Sequence, residues 1–495
     1  MKKIQKHKYQ ILIFFTETVY MTLELLASRV LSPTFGARLE VWTSIIGIIL
    51  LSSSLGNYYG GKLADKNKKN VISNILLLTS ISILIIPLLS NPLLDINVVA
   101  YNSQFSVIVF CLIISALLFF LPGFLIGMLT PIIVTNEIKD NKAVGTSSGK
   151  IYSAMTIGGL FGTFISGFFL IPNFGTVELI YILAFIMLII SFIVNNNKKK
   201  YSILYILIIL IITGLFSHTL YIEHQNRKDI SSYNENKKVS LDTKYGRVII
   251  SYGIKDNYKI KILNIDGGFE SAMYVDKDKE NDLVFEYLQK YGYVLKKYSN
   301  PKNLLMIGGG AYSFPKYIVS NTKSDIDVVE IDSEITKIAK KYFGLDKTMK
   351  KYPNRIKNYN EDGRTYLNNN KKKYDMIFND AFSGQTPAKT LTTKEAVEKV
   401  SKSLNDDGMY VSNIIGAING KHSYFLKYEI KTMKTYFKYI YVIQADEKIS
   451  LKEKQNLIVI CSNKKYKFDN EINNIDLKDA KIITDNYYPI EHLTK

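Results

Sequence analysis

Cysteine is almost missing from this chain of 495 residues. The two present, Cys111 and Cys461, lie in different halves, which excludes a disulfide-stapled scaffold. No Cys/His spacing suits a metal site, so no metal is expected. Arginine is scarce, at six of 63 basic residues. The net charge of +19 therefore reflects a general enrichment in Lys, alongside Asn, Ile and Tyr, rather than a surface built for one partner. Acids are interspersed throughout, and the Lys runs 198–200 and 371–373 read as a membrane-helix flank and a solvated loop. Basic stripes with stacking aromatics are lacking, so nucleic acid is not an expected partner. With 47% apolar residues the chain is neither disordered nor collagen-like.

The apolar residues are unevenly spread. Residues 1–222 hold seven runs of membrane-spanning length, at about 9–31, 41–59, 71–90, 105–134, 145–170, 176–194 and 201–220. The first is too long for a signal peptide, holds Glu17 and Glu24, and has no small-residue cleavage site. The fourth contains Pro122, Gly123 and Pro131, which suit a tilt, a kink or partial re-entry. Lys and Arg fall almost wholly in alternate loops, 14 against Arg38 alone. That asymmetry predicts an integral membrane protein with a cytoplasmic N-terminus. Seven crossings then favour the extracytoplasmic side for the residues after 220, and the cytoplasmic side stays open.

Charges in a bilayer are costly, so those inside the spans ask for a reason. Glu17 and Glu24 are seven residues apart and share a helix face. They suit either a polar site facing the bundle or a structural pair with Arg29 near the helix end. Gly56 with Gly60, and Gly158 with Gly162, have the four-residue spacing of close helix contacts.

The second half has a different grammar. Residues 223–240 are polar and aperiodic, and read as a linker. Tyr245–Tyr252 and Tyr258–Ile265, closed by Asp266-Gly267-Gly268, predict a small β-hairpin subdomain, and Leu283, Tyr287, Leu288, Tyr291 and Val294 have helical spacing. Together these fill 241–300. Over 301–495 strands and helices alternate, which predicts a Rossmann-like α/β domain with a mainly parallel sheet. The strand from Asn303 runs into Gly308-Gly309-Gly310. The next ends in Glu330-Ile-Asp332. A third leads to Glu361-Asp362-Gly363-Arg364, and a fourth is Tyr374-Asp-Met-Ile-Phe-Asn-Asp380.

In an open parallel sheet, ligands sit beyond the carboxyl ends of the strands. Gly308–Gly310 would let a ligand approach the backbone, and Glu330 could accept hydrogen bonds from two ribose hydroxyls. The dinucleotide pattern Gly-X-Gly-X-X-Gly fails because position 313 is Ser. A nucleoside without pyrophosphate is thus expected. The ordinary alternatives are a tight turn for the glycines, loop solvation for Glu330 and Asp362, and a capping role for Asp380.

These motifs, with Leu263-Asn-Ile-Asp266-Gly267 before them and Leu391-Thr-Thr-Lys-Glu395 and Leu404-Asn-Asp-Asp-Gly408 after, resemble the spermidine synthase domain of the class I methyltransferase-like superfamily. With seven spans in front, the chain resembles the membrane-fused relatives of that family. The resemblance implies an aminopropyltransferase using decarboxylated S-adenosylmethionine, or S-adenosylmethionine itself, with an amine acceptor. It implies nucleoside contacts from Gly308, Gly309, Gly310, Glu330, Asp362 and Gly363. Asp380 is implied as the catalytic acid that orients the acceptor amine and takes its proton.

Departures from the family pattern bear on substrate. An Asp that would follow the glycines to hold the amine is here Ala311. A second Asp three residues beyond the catalytic one is Ser383. A Gln past the Asp-Gly turn is Glu270, and the helix segment expected to carry a Tyr and an acid shows Val284, Phe285 and Glu286. Ordinary putrescine is therefore not expected to bind in the family manner, and loss of the Asp could admit the carboxylate of S-adenosylmethionine. Cleavage of S-adenosylmethionine or methyl transfer in the same pocket stays open. So do a transporter or sensor with a non-catalytic nucleoside-binding domain, a bare membrane anchor, and a homo-oligomer. Besides the small molecules, the lipid bilayer is the expected partner.

Overall fold

The computed structural model describes residues 7–35, 39–66, 70–94, 104–141, 143–195, 197–229, 238–383 and 386–489. Lys2, Lys3, Lys6, Arg38, Lys68, Lys69 and Lys142 of the loop charges lie outside these residues, as do residues 230–237 of the expected linker. The chain divides into two compact units, Met1–Lys228 with Ser240–Val248, and Asp229–Val239 with Ile249–Lys495.

The first unit is helical. Its elements are α1 (Lys8–Phe35), α2 (Leu39–Asp65), α3 (Val71–Leu94), α4 (Gln104–Asn141), α5 (Val144–Ile165, continued by a π turn over Ser166–Leu170), α6 (Thr176–Val194) and α7 (Lys198–Asp229). All seven are long and apolar enough to cross a membrane. A helix satisfies its own backbone, which is why apolar runs of this length take that form in a bilayer. Buried hydroxyls bond back to the same helix, as Thr22 does to the Thr18 carbonyl (2.8 Å) and Ser52 to that of Ile49 (2.8 Å). α4 runs unbroken through Pro122 and Pro131, so no re-entrant break forms there. The first part of the expected linker is helical too, because α7 extends to Asp229.

Close helix contact explains the paired glycines. A β-carbon at Gly162 would stand 2.6 Å from the Thr18 carbonyl oxygen, and one at Gly158 would strike that of Phe14. Gly56 and Gly60 meet the α4 backbone at Phe124 and Met128 in the same way. Arg29 does not take the expected pairing with Glu24. Its guanidinium donates to the Thr243 carbonyl (2.7 Å) and to that of Lys244. Five residues turn a helix by about 140° beyond a full turn, so the two side chains leave on different faces.

In the remaining chain, β1 (Val239–Asp242), β2 (Arg247–Lys255), β3 (Tyr258–Ile265) and β4 (Gly268–Tyr274) form a four-stranded sheet in sequence order. The hairpin read from the sequence is thus half of a larger sheet. Then come α8 (Glu286–Lys297), β5 (Asn303–Ile307), α9 (Ser313–Asn321), β6 (Asp325–Val329), α10 (Ser333–Tyr342), α11 (Leu345–Lys351), β7 (Ile356–Tyr359), α12 (Gly363–Asn369) and β8 (Tyr374–Asn379). After the short pair β9 (Phe382–Ser383) and β10 (Thr386–Pro387) come α13 (Lys394–Ser403), β11 (Leu404–Gly416), α14 (Tyr424–Met433), β12 (Tyr439–Gln444) and β13 (Gln455–Ser462).

The seven-stranded sheet has the order β12-β13-β11-β8-β5-β6-β7. It is mixed: β7, β6, β5, β8 and β11 run parallel, while β13 is antiparallel to β11 and β12. One core packs around Met306, Val328, Phe378 and Tyr291, and another around Leu305, Ile377, Tyr410 and Leu426. The result is a Rossmann-like, methyltransferase-type domain. Strand register aligns its central strands. Ile307 pairs with Val329 and with Asn379, and Val329 with Tyr359. These four strands therefore stop level, and the residues after them share one edge.

Candidate active site

Chain order reverses between β5 and β8: β6 lies on one side of β5, and β8 arrives on the other. Such a switch point leaves a crevice at the strand ends. Gly308–Gly310 enters it directly from β5. Gly308 and Gly310 have φ of +92° and +49°, where a side chain is strained. A β-carbon at Gly308 would lie 2.5 Å from the Asp380 carbonyl oxygen. The Gly308 N–H donates to the Val329 carbonyl (2.9 Å) and the Asp380 N–H to that of Ile307 (2.9 Å). These bonds stitch the glycine turn to both neighbouring strands.

Tyr312 adopts φ +58° without being glycine. A left-handed residue costs about 1–2 kcal/mol. Full burial of the ring, packed beneath Gly309, and a hydroxyl contact to Thr336 (2.8 Å) offset it.

Glu330 stands at the end of β6. Its carboxylate accepts from the Gly309 N–H (2.8 Å) and the Asp332 N–H (3.0 Å). Burial raises its pKa, and those backbone donors oppose the rise. Each oxygen keeps a further lone pair for a hydroxyl donor. Asp362, after β7, caps α12. Its Oδ1 accepts from the Thr365 N–H (2.9 Å) and hydroxyl (3.2 Å), which leaves Oδ2 for a ligand. Gly363 beside it is buried, and a β-carbon there would meet Ile307 at 2.6 Å.

Asp380 stands just past β8. The Asn413 amide donates to its Oδ1 (3.1 Å) and the Tyr287 hydroxyl to its Oδ2 (3.1 Å). Loss of solvation pushes the carboxyl up to about 6, against the pull of those two donors. The same Tyr287 proton is shared with the Glu270 carbonyl (3.2 Å), so α8, β4 and the residue after β8 meet at one hydroxyl. Glu270 is half-buried. Desolvation, then repulsion from Asp380, Glu330 and Asp266, pushes its carboxyl up to about 8. Among the described residues, no His, Cys, Asp and Glu side chains group as a metal site.

The fold thus brings the glycine turn, Glu330 and Asp380 together, with Asp362 and Gly363 on the same sheet edge. Tyr287 and Asn413 are site residues that the sequence does not single out. Tyr287 lies one residue beyond the segment expected to carry a Tyr, and its spacing with Leu283 and Tyr291 is that of a core residue. Glu286 points to Lys255 instead (2.6 Å), and Val284 is core.

Residues 284–473 match the family model described as a spermine/spermidine synthase domain. The polyamine aminopropyltransferase of Methanocaldococcus jannaschii is 32% identical over 162 residues, covering 32% of this chain and 52% of that one. That of Clostridium botulinum is 29% identical over 220 residues, covering 44% and 68%. The match thus spans from about half to two thirds of these relatives' length. A crystal structure of a probable spermidine synthase from Corynebacterium glutamicum aligns with TM-score 0.39 and 20% identity, over 46% of this chain and 80% of that one. The chain carries a spermidine synthase domain in its C-terminal part, behind seven helices long and apolar enough to span a membrane.

Proposed function

We propose that this chain is a membrane-anchored transferase that moves an aminopropyl-type group from a sulfonium nucleoside to an amine. The observation that carries this reading is Asp380. It is a carboxylate at the switch point with both oxygens fixed, by Asn413 and Tyr287, and with its backbone joined to the glycine turn. The relatives' shared name, polyamine aminopropyltransferase, supports the same reaction class.

In this reading Gly308–Gly310 admit the nucleoside against the backbone. Glu330 accepts from the ribose hydroxyls, and Oδ2 of Asp362 accepts from the adenine amino group. The acceptor amine attacks the propyl carbon bonded to sulfur. A C–N bond forms as the C–S bond breaks, and its electron pair returns to sulfur, leaving neutral methylthioadenosine. The nitrogen then carries one proton too many, and Asp380 takes it. Positioning of the amine and removal of that proton are the protein's main contributions. The negative charge of Asp380 also favours the cationic sulfonium before transfer.

The test is product analysis by mass spectrometry, with purified protein, decarboxylated S-adenosylmethionine or S-adenosylmethionine, and a panel of amines. Methylthioadenosine together with an aminopropylated amine is expected. S-adenosylhomocysteine with a methylated acceptor, or no methylthioadenosine from either nucleoside, would overturn the reading.

A further inference from the structure

The stretch that matches the family model ends at residue 473, and the chain beyond it is anchored on the same domain. Ile483 is fully buried. Its N–H donates to the Thr432 hydroxyl (2.9 Å), and its carbonyl accepts from the Lys394 N–H (2.8 Å) at the start of α13. A tight turn follows, in which Thr484 and Tyr487 exchange backbone hydrogen bonds of 3.0 and 3.1 Å. At the tip of that turn the Asp485 N–H donates to the Glu395 carboxylate (3.0 Å). This framework holds the Asp485 side chain against Arg364. The Arg364 Nη2 donates to Oδ2 (2.9 Å), and the Thr393 hydroxyl donates to Oδ1 (2.7 Å).

Arg364 carries this anchor to the strand-end crevice, because it directly follows Asp362 and Gly363. Its Nη1 donates to the Thr390 carbonyl (2.9 Å) and the Thr393 hydroxyl (3.0 Å). One guanidinium thus joins the start of α12 to residues 390–393. Leu391 in that stretch presses on Gly363. A β-carbon at Gly363 would lie 3.3 Å from a Leu391 methyl and 2.6 Å from Ile307. The loop that bears Asp362 is therefore held between β5 and Leu391 with no slack.

A guanidinium is a rigid planar fork of donors, so its partners decide how it lies. The Arg364 side chain is only 15% exposed, and without Asp485 its charge would be poorly solvated and would turn toward water. That turn would release Thr390 and, with it, the pressure of Leu391 on Gly363. We propose that Asp485 is a positioning residue for the nucleoside: through Arg364 it sets the distance between the Asp362–Gly363 loop and the Thr390–Leu391 stretch, and so the fit of the base. This rests on the transferase reading, in which Oδ2 of Asp362 accepts from the adenine amino group.

The test is calorimetric titration of the full-length protein in detergent with methylthioadenosine and with methylthioinosine, which has an oxygen in place of the amino group. The wild type is expected to bind the adenine form about tenfold tighter or more, because a carboxylate placed for an amino donor meets an oxygen in the other. Asp485→Ala should weaken methylthioadenosine by about fivefold, leave methylthioinosine nearly unchanged, and so cut the preference to about twofold. Arg364→Lys, which keeps the charge but cannot hold Thr390 and Asp485 together, should do the same. In turnover, KM for the nucleoside should rise by the same factor in Asp485→Ala while kcat holds within about twofold. Loss of packing alone would lower the melting temperature and the fitted stoichiometry, but the folded molecules would keep their preference for adenine. An unchanged preference in either variant overturns the inference and leaves the transferase reading standing, as does a wild type that binds both bases equally. Failure of the wild type to bind either nucleoside overturns both.

Discussion

The hydroxyl of Tyr287 donates to the Asp380 carboxylate at 3.1 Å across 93 residues of sequence. With Asn413 on the other oxygen, the carboxylate cannot rotate away from the glycine turn. Asp380→Asn should lower turnover by about 10²–10⁴-fold, the range for a lost general base, while methylthioadenosine still binds. Tyr287→Phe should give a smaller loss, because the base survives with one oxygen untethered. Turnover and binding measured side by side would check this. Wild-type turnover in Asp380→Asn would remove the residue from the chemistry.

The same carboxyl sets a pH limb. A base pushed up to about 6 is protonated below that pH, so the rate should rise as pH passes through 6. Tyr287 and Asn413 both hold the value down, so Tyr287→Phe should move the limb to higher pH. A pH–rate profile of kcat/KM for both proteins is the measurement.

Stability should run the other way. Asp380 and Glu270 have folded values raised above their ordinary ones, so the folded protein binds more protons than the unfolded chain between about pH 4 and 8. Their stabilising contribution is whole below that window and is lost as pH rises through 6 and 8. The ligand-free protein should melt at a lower temperature at pH 8 than at pH 5, and Glu270→Gln should flatten the slope. Melting curves across that range would decide it, and a slope unchanged in the variant would exclude Glu270 as a source.

In the helical unit, Gly162→Leu should prevent α1 and α5 from meeting, since even a β-carbon would come within 2.6 Å of the Thr18 carbonyl. Overpacking of this kind costs about 1–3 kcal/mol or more. Gly47→Ala is the control, because a β-carbon there meets nothing within 4 Å. Melting temperature in detergent should fall for the first and hold for the second.

Loop charge makes a topological prediction. A cysteine placed at position 228, past the seventh span, should react with a membrane-impermeant thiol reagent in intact cells. Both native cysteines are buried and give little background. Labelling only after lysis would place that segment in the cytoplasm and reverse the orientation read from the 14-to-1 asymmetry.

β5, β6 and β8 were legible because each is a short, largely apolar run followed at once by Gly, Glu or Asp. Strand ends in a parallel sheet are also where ligands bind, so Gly308–Gly310, Glu330 and Asp362 could be named from the pattern, and Asp380 from the family resemblance. Other features depend on tertiary placement. β4 is Gly-Phe-Glu-Ser-Ala-Met-Tyr, whose polar and small residues carry no clean alternation. Tyr287 looks like core because it is core on one side, stacked edge-on to Tyr291. Only the arrival of β8 gives its hydroxyl a carboxylate. Asn413 lies in the buried stretch Gly408–Ile414 of β11, where it reads as part of a core strand. Tyr312 defied the local rule that a left-handed residue next to a glycine turn should itself be glycine.

The backbone contact between Gly308 and the Asp380 carbonyl has an evolutionary corollary. With no side chain to act as a cushion, any enlargement of the turn would shift the base by the same displacement. In the proposed reaction, donor recognition and proton removal would be mechanically one part. New acceptors are more readily accommodated by changes on α8, β4 and β11, whose residues approach Asp380 from outside that rigid joint.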